Sequence, residues 1–216
     1  MDFIKLLIVI FSLFAGLLTI YIYYWNNLFG KIYVVLLILI LFLMILYDYF
    51  HSSDEFFEKY PFNINKLSLI VSIGLAIVFT FLLHILPKIC CSIGFALSIP
   101  YIKLKLLFLN YKLPIYLLIF FLISFFDEYL FRGVIYTNLR EEYGPTLALI
   151  VESILYGLYL LSTAMLYFSY VSLLALFVGG FVFAIVLSIE REKLETLLGP
   201  ILTHFIFLVL FFIILG

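Results

Sequence analysis

The chain has 216 residues, of which 67% are hydrophobic, 20% aromatic and only 12% charged; its mean hydropathy is +1.31. Soluble domains are about half apolar and about a quarter charged, and disordered chains are poorer still in apolar residues, so both classes are excluded. A net charge of −1 offers no basic face, so no nucleic acid is expected as a partner.

An integral membrane protein remains. A spanning helix takes roughly 20 residues, so the length allows at most about eight spans and no large soluble domain. The chain opens with a single early lysine, Lys5, and an apolar run that continues past Gly16 to Tyr24. Without an A-x-A cleavage site, this run reads as an uncleaved anchor rather than a signal peptide. Proline punctuates the rest of the chain: Pro61, Pro87, Pro100, Pro114, Pro145 and Pro200 stand beside polar residues or at the edges of apolar runs. Each therefore predicts a helix border, where a missing N–H costs little.

The apolar stretches lie at about 3–25, 32–49, 67–86, 114–136, 146–163, 167–189 and 200–215. They predict an all-α, polytopic transmembrane bundle of seven spans. The short apolar segment 89–101 is an eighth span, a re-entrant piece or an interfacial helix, which extends the expectation to seven or eight. Within it, the adjacent Cys90 and Cys91 read as small apolar residues, since neighbouring cysteines make neither an ordinary disulfide nor a spaced metal site. Residues 101–112 interleave lysine with leucine and phenylalanine, as a membrane-surface helix or a polar connection would. The acidic stretch 48–66, with His51, Asp54 and Glu55, reads as a solvated loop. Basic residues divide almost evenly between the two sides, so charge assigns no orientation.

Ionisable groups inside apolar runs are expensive, and four places hold them. In SFFDEYLFRGVIY, Asp127 and Glu128 are followed by Arg132. Glu128 and Arg132 are four apart with the acid first, the favourable spacing for an ion pair on one helix face. Such a pair neutralises itself. Asp127, turned about 100° away on the helix, is left to be protonated or to face water, a metal or another span. His204 lies one turn inside the last stretch, as a packing residue or a site member. His84 falls near a helix end, where histidine is cheap. Glu152 is placed for Tyr156, one turn on, to donate to it. Gly179-Gly180 allows two backbones to approach closely.

The stretch Asp127-Glu128-Tyr129-Leu130-Phe131-Arg132-Gly133 resembles the E-E-x-x-x-R signature, with F-R-G, of the CPBP intramembrane proteases. That family includes the Rce1-type CAAX prenyl endopeptidases and the Abi proteins. Gly179-Gly180, a polar turn over 190–195, and Gly199-Pro200-Ile201-Leu202-Thr203-His204 are similar to its last motif. The resemblance covers about 114–216 and implies a CPBP-like core there, with 1–113 supplying N-terminal helices and the interfacial segment of one integral membrane domain.

The resemblance implies that Asp127 is the water-activating acid, one methylene shorter than the family's glutamate. It implies that Glu128, Arg132 and His204 complete the site. A divalent metal such as zinc would be held by Asp127, Glu128 and His204. The family's F-x-x-x-H corresponds to Tyr156-Gly157-Leu158-Tyr159-Leu160, so leucine replaces a histidine at 160; another, Leu208, stands where Asn or Asp is expected. Accessory candidates for the missing histidine's place are His84, Glu152, Tyr156 and Tyr159. Three functions are expected from these residues. One is a peptidase of membrane-embedded or lipid-tethered peptides, such as CAAX-prenylated ones, and a second is a non-catalytic relative that binds such peptides or partner helices in the bilayer. The third, a transporter, lacks the related halves and midplane breaks it would need.

Overall fold

The computed structural model describes residues 61–63, 65–92, 113–164 and 170–215. The anchor, the stretch 32–49, most of the loop 48–66 and the segments 93–101 and 101–112 lie outside the described residues. Every regular element among the described residues is helical.

Helix α1 is Lys66–Ser92. Asn65 starts it with a reciprocal cap: its Oδ1 accepts from the Ser68 backbone N–H at 2.7 Å, and its own N–H donates to Ser68 Oγ at 3.1 Å. Capping of this kind satisfies amide donors that a helix start leaves unpaired. The border expected at Pro87 is not observed, because α1 continues past it to Ser92 and takes in Cys90 and Cys91. Proline removes one N–H and crowds the carbonyl four residues back, a defect that membrane helices tolerate where neighbours re-satisfy the backbone.

Helix α2, Leu113–Glu128, runs without a break into a π-helical segment, Tyr129–Ile135, and then into α3, Tyr136–Tyr143. The stretch expected to end at 136 is therefore the first part of a longer rod. In the π segment the backbone bonds skip one residue further, as shown by Tyr136 N–H donating to the Phe131 carbonyl. Polar side chains bind carbonyls of this widened turn: Asn138 Nδ2 donates to Val134 O at 2.6 Å, and Thr137 Oγ1 to Arg132 O at 3.3 Å.

Gly144, at φ 85°, stops α3 in a conformation few side chains adopt, and Pro145 begins α4, Pro145–Ala164. This Gly-then-Pro order is the expected signature of one helix ending and another starting. Helix α5, Tyr170–Leu194, extends through the residues expected to form a polar turn. The turn itself is confined to Glu195, at φ 50°, and the next two residues, before α6, Leu198–Leu215.

Helix α6 packs between α1 and α2, and α4 packs along α5 and α3. The α4–α5 contact is close because it is lined with glycine. A Cβ on Gly157 would stand 3.0 Å from the Phe177 carbonyl, and one on Gly180 would stand 2.7 Å from Leu160 Cδ1. The stretch 61–63 docks on the α5–α6 turn, where Leu197 N–H donates to Pro61 O at 2.7 Å. Phe62 stacks on Phe125, and Phe125 stacks on Tyr129.

Among the described residues, several charged side chains are buried while many large apolar ones lie on the outside. Glu128, Arg132, Glu152, Glu190 and Arg191 are buried, while Leu67, Ile70, Phe81, Leu118, Leu174 and Ile213 are each more than half exposed. One helix is long and apolar enough to cross a membrane, over Leu174–Leu194, and shorter apolar runs occupy Lys66–Leu82, Pro145–Leu161 and Leu198–Phe211.

Candidate active site

Glu128 and Arg132 from one apolar stretch of the sequence, and Glu152 and His204 from separate ones, converge. Glu128 ends α2, and four residues later Arg132 sits in the π segment, with its Nε 3.2 Å from Glu128 Oε2. The Nη1 of Arg132 donates to Glu128 Oε1 at 3.3 Å. Both side chains are completely buried. From α6, the Nδ1 of His204 stands 2.8 Å from the same Glu128 Oε1. One carboxylate therefore joins the α2–π rod to the last helix. A neutral imidazole that donates from Nδ1 leaves Nε2 as an acceptor; a protonated ring presents an N–H there instead.

Glu152, on α4, completes the surroundings of the arginine, with Oε1 3.5 Å from Arg132 Nε. The donor expected for Glu152 is Tyr156, but two serines take that place. Ser188 Oγ on α5 donates to Oε2 at 2.8 Å, and Ser153 Oγ donates at 3.4 Å. Tyr156 turns its ring instead beneath the guanidinium, 4.5 Å from Cζ to the ring centre, where the π-face attracts the cation. A buried arginine between two buried acids and an aromatic face is compensated on several sides, which burial of charge requires.

Asp127 faces another way. It is 4% exposed, and its Oδ1 accepts from the Tyr159 hydroxyl of α4 at 3.1 Å. Among the alternatives open for this acid, a polar group of another helix is the one observed. Asp127 and His204 retain 4% and 5% exposure, whereas Glu128, Arg132 and Glu152 retain none. Tyr159 is only partly buried. The sealed groups hold the framework, and the groups with accessible surface are the acid, the imidazole and the phenol.

Leu160 and Leu208, at the two departures from the protease motifs, are both half-buried. Leu160 packs toward Gly180 and the aromatic cluster of Phe131, Tyr156 and Phe183. The edge of Phe183 meets the His204 ring, with centroids 5.4 Å apart. His84 is half-buried in α1, one turn beyond Thr80. Phe183 and Ser188, absent from the sequence-based candidates, each touch a site residue. They carry no charge, so nothing in an apolar stretch marks them out.

Asp127, Glu128 and His204 do not fit a metal. Among the described residues no group of three His, Cys, Asp or Glu side chains is disposed to hold an ion. Glu128 is already engaged by His204 and by Arg132, and a second cation beside that guanidinium would be repelled.

Fold and site together define a protein whose regular elements, among the described residues, are all helical and whose interior carries an acid–arginine–histidine network spanning four helical segments. The sequence model of the type II CAAX prenyl endopeptidase Rce1-like family matches residues 108–210, so that segment is similar to this family. No curated protein and no solved structure matches the chain.

Proposed function

We propose that the chain is a multi-pass intramembrane endopeptidase for lipid-tethered peptides, of which CAAX-prenylated peptides are the substrate class. Its peptidase core occupies 114–216, preceded by the N-terminal helices of 1–113, in a bundle of seven or eight spans. The observation that carries this reading is the 2.8 Å contact between His204 Nδ1 and Glu128 Oε1, with Asp127 as the adjacent acid.

In this scheme Asp127 takes a proton from water as the oxygen attacks the scissile carbonyl, then returns it to the leaving amine. The Tyr159 hydroxyl orients the Asp127 carboxylate. His204, charged and held by Glu128, presents Nε2–H to the oxyanion that forms, and such a preset donor stabilises developing charge. Arg132 and Glu152 fix Glu128, so that its second partner, the imidazole, keeps one orientation.

Purified protein in nanodiscs, given a farnesylated CAAX peptide, is expected to release the terminal tripeptide. Asp127→Asn and Glu128→Gln are each expected to lower kcat by about 10²–10⁴-fold, the span of a positioned acid–base group. Cleavage that survives both substitutions overturns the scheme.

A second reading rests on Leu160 and Leu208, which neither donate nor accept protons. On that reading the chain binds the same peptides without cutting them, and Leu160→His is required before any product forms. Turnover by the unaltered chain removes it.

A further inference from the structure

Glu190 is a buried acid that the proposed peptidase chemistry does not use. It lies near the end of α5, is 4% exposed, and is tied to two other helices. Thr203 Oγ1 of α6 stands 2.9 Å from its Oε1 and 2.8 Å from its Oε2, and Ser72 Oγ of α1 donates to Oε1 at 2.8 Å. Each hydroxyl has one proton, so one consistent arrangement sends that of Thr203 to Oε2 and that of Ser72 to Oε1. The space is closed by Gly199 in the first turn of α6, where a Cβ would stand 3.1 Å from Oε1. The Gly199 carbonyl lies 3.1 Å from Ser72 Oγ.

The position of this clasp matters because Thr203 immediately precedes His204. Apart from Gly199, Pro200, Thr203 and His204, α6 consists of Leu, Ile, Val and Phe alone. Such a helix has no polar face to set its rotation, and in lipid there is no hydrophobic force between helices to choose one. Hydrogen bonds at Thr203 do choose. Successive residues differ by about 100° around the axis, so with the Thr203 hydroxyl on Glu190, the His204 ring is turned toward Glu128 on α2. A rotation by one residue would send the imidazole out of the site.

We propose that Glu190 is a positioning residue, which fixes the rotation of α6 through Thr203 and thereby holds His204 against Glu128. The proposal rests on His204 being a member of the site. It also explains why an acid is kept there at all, since a buried carboxyl held by two hydroxyls is better justified by specificity than by stability.

The test uses the full chain in nanodiscs with ring-15N-labelled histidine, the His204 signal being identified by its loss in His204→Gln. Glu190→Leu and Thr203→Val are expected to shift the His204 Nδ1 resonance away from its hydrogen-bonded position. Both are expected to lower kcat about a hundredfold, as a misplacement near 1 Å does, with KM little changed. Thr203→Ser, which keeps the hydroxyl, restores the resonance and the rate. Thr203→Val conserves shape and carries the test if Glu190→Leu does not fold. An unshifted His204 resonance in folded Thr203→Val overturns the proposal, whatever happens to the rate. Absence of cleavage by the unaltered chain refutes the peptidase reading instead, and the resonance still decides whether Glu190 positions His204.

Discussion

Asp127 and Glu128 are neighbours in the chain with different surroundings. Helical rotation sends Glu128 inward to Arg132 and His204, whereas Asp127 meets the Tyr159 phenol and keeps a trace of exposed surface. The shorter aspartate side chain is matched by a long donor reaching from α4. That hydrogen bond has a testable weight. A bond to a charged group contributes about 1.5–3 kcal/mol, which corresponds to roughly 10–100-fold in rate if it acts mainly in the transition state. Tyr159→Phe removes the hydroxyl while leaving the ring, which lies against Phe131 and Tyr156. Steady-state kinetics on the prenylated peptide are expected to show a fall in kcat of that size with KM little altered. A variant with unchanged kcat would show that Asp127 needs no help from α4.

At the scale of helices, the α4–α5 contact makes a prediction that distinguishes two glycines. A methyl group at Gly157 would meet the Phe177 backbone carbonyl at 3.0 Å, whereas one at Gly180 would meet the far end of the Leu160 side chain at 2.7 Å. A backbone atom can yield only if the helices separate, but a leucine methyl can swing away. Gly157→Ala is therefore expected to destabilise the protein by about 1–3 kcal/mol, and Gly180→Ala by less. Thermal unfolding in detergent measures the difference, and the reverse order would mean that α4 and α5 are held by something other than this approach. Of the Gly179-Gly180 pair, Gly180 is the close approach that was legible, whereas Gly179 has nothing within 4 Å; the borders at Pro145 and Pro200 were legible too, because these residues act through local backbone geometry. The π segment was not, since a widened turn leaves no mark on composition, and neither was the continuation of α1 past Pro87. Asp127, Glu128, Arg132 and His204 were legible because charge in an apolar run stands out. Ser72, Ser188 and Thr203 were not, for small hydroxyls are cheap in any helix and reveal their partners only when the helices are assembled.

At the scale of the whole described structure, burying Glu128, Arg132, Glu152 and Glu190 while large apolar side chains cover much of the outside suits apolar surroundings. In water, an exterior carrying Leu67, Ile70, Phe81, Leu118 and Leu174 would drive association, whereas in lipid it needs no partner. Leu174–Leu194 has 21 residues, or about 31 Å at the helical rise, which matches a hydrocarbon core of roughly 30 Å. Val182, near the middle of this span, is 46% exposed, while Ala184 two residues on is completely buried. A cation at Val182 would therefore face acyl chains rather than the acids of the interior. Central arginine raises the apparent free energy of insertion by about 2.5–3.5 kcal/mol. Val182→Arg is expected to shift a glycosylation-mapped insertion assay of this helix toward the non-inserted form. Val182→Leu should insert as the native sequence does. Equal insertion of the arginine and leucine variants would mean that this face of α5 does not meet lipid, and the outward apolar surface would then require a protein partner to cover it.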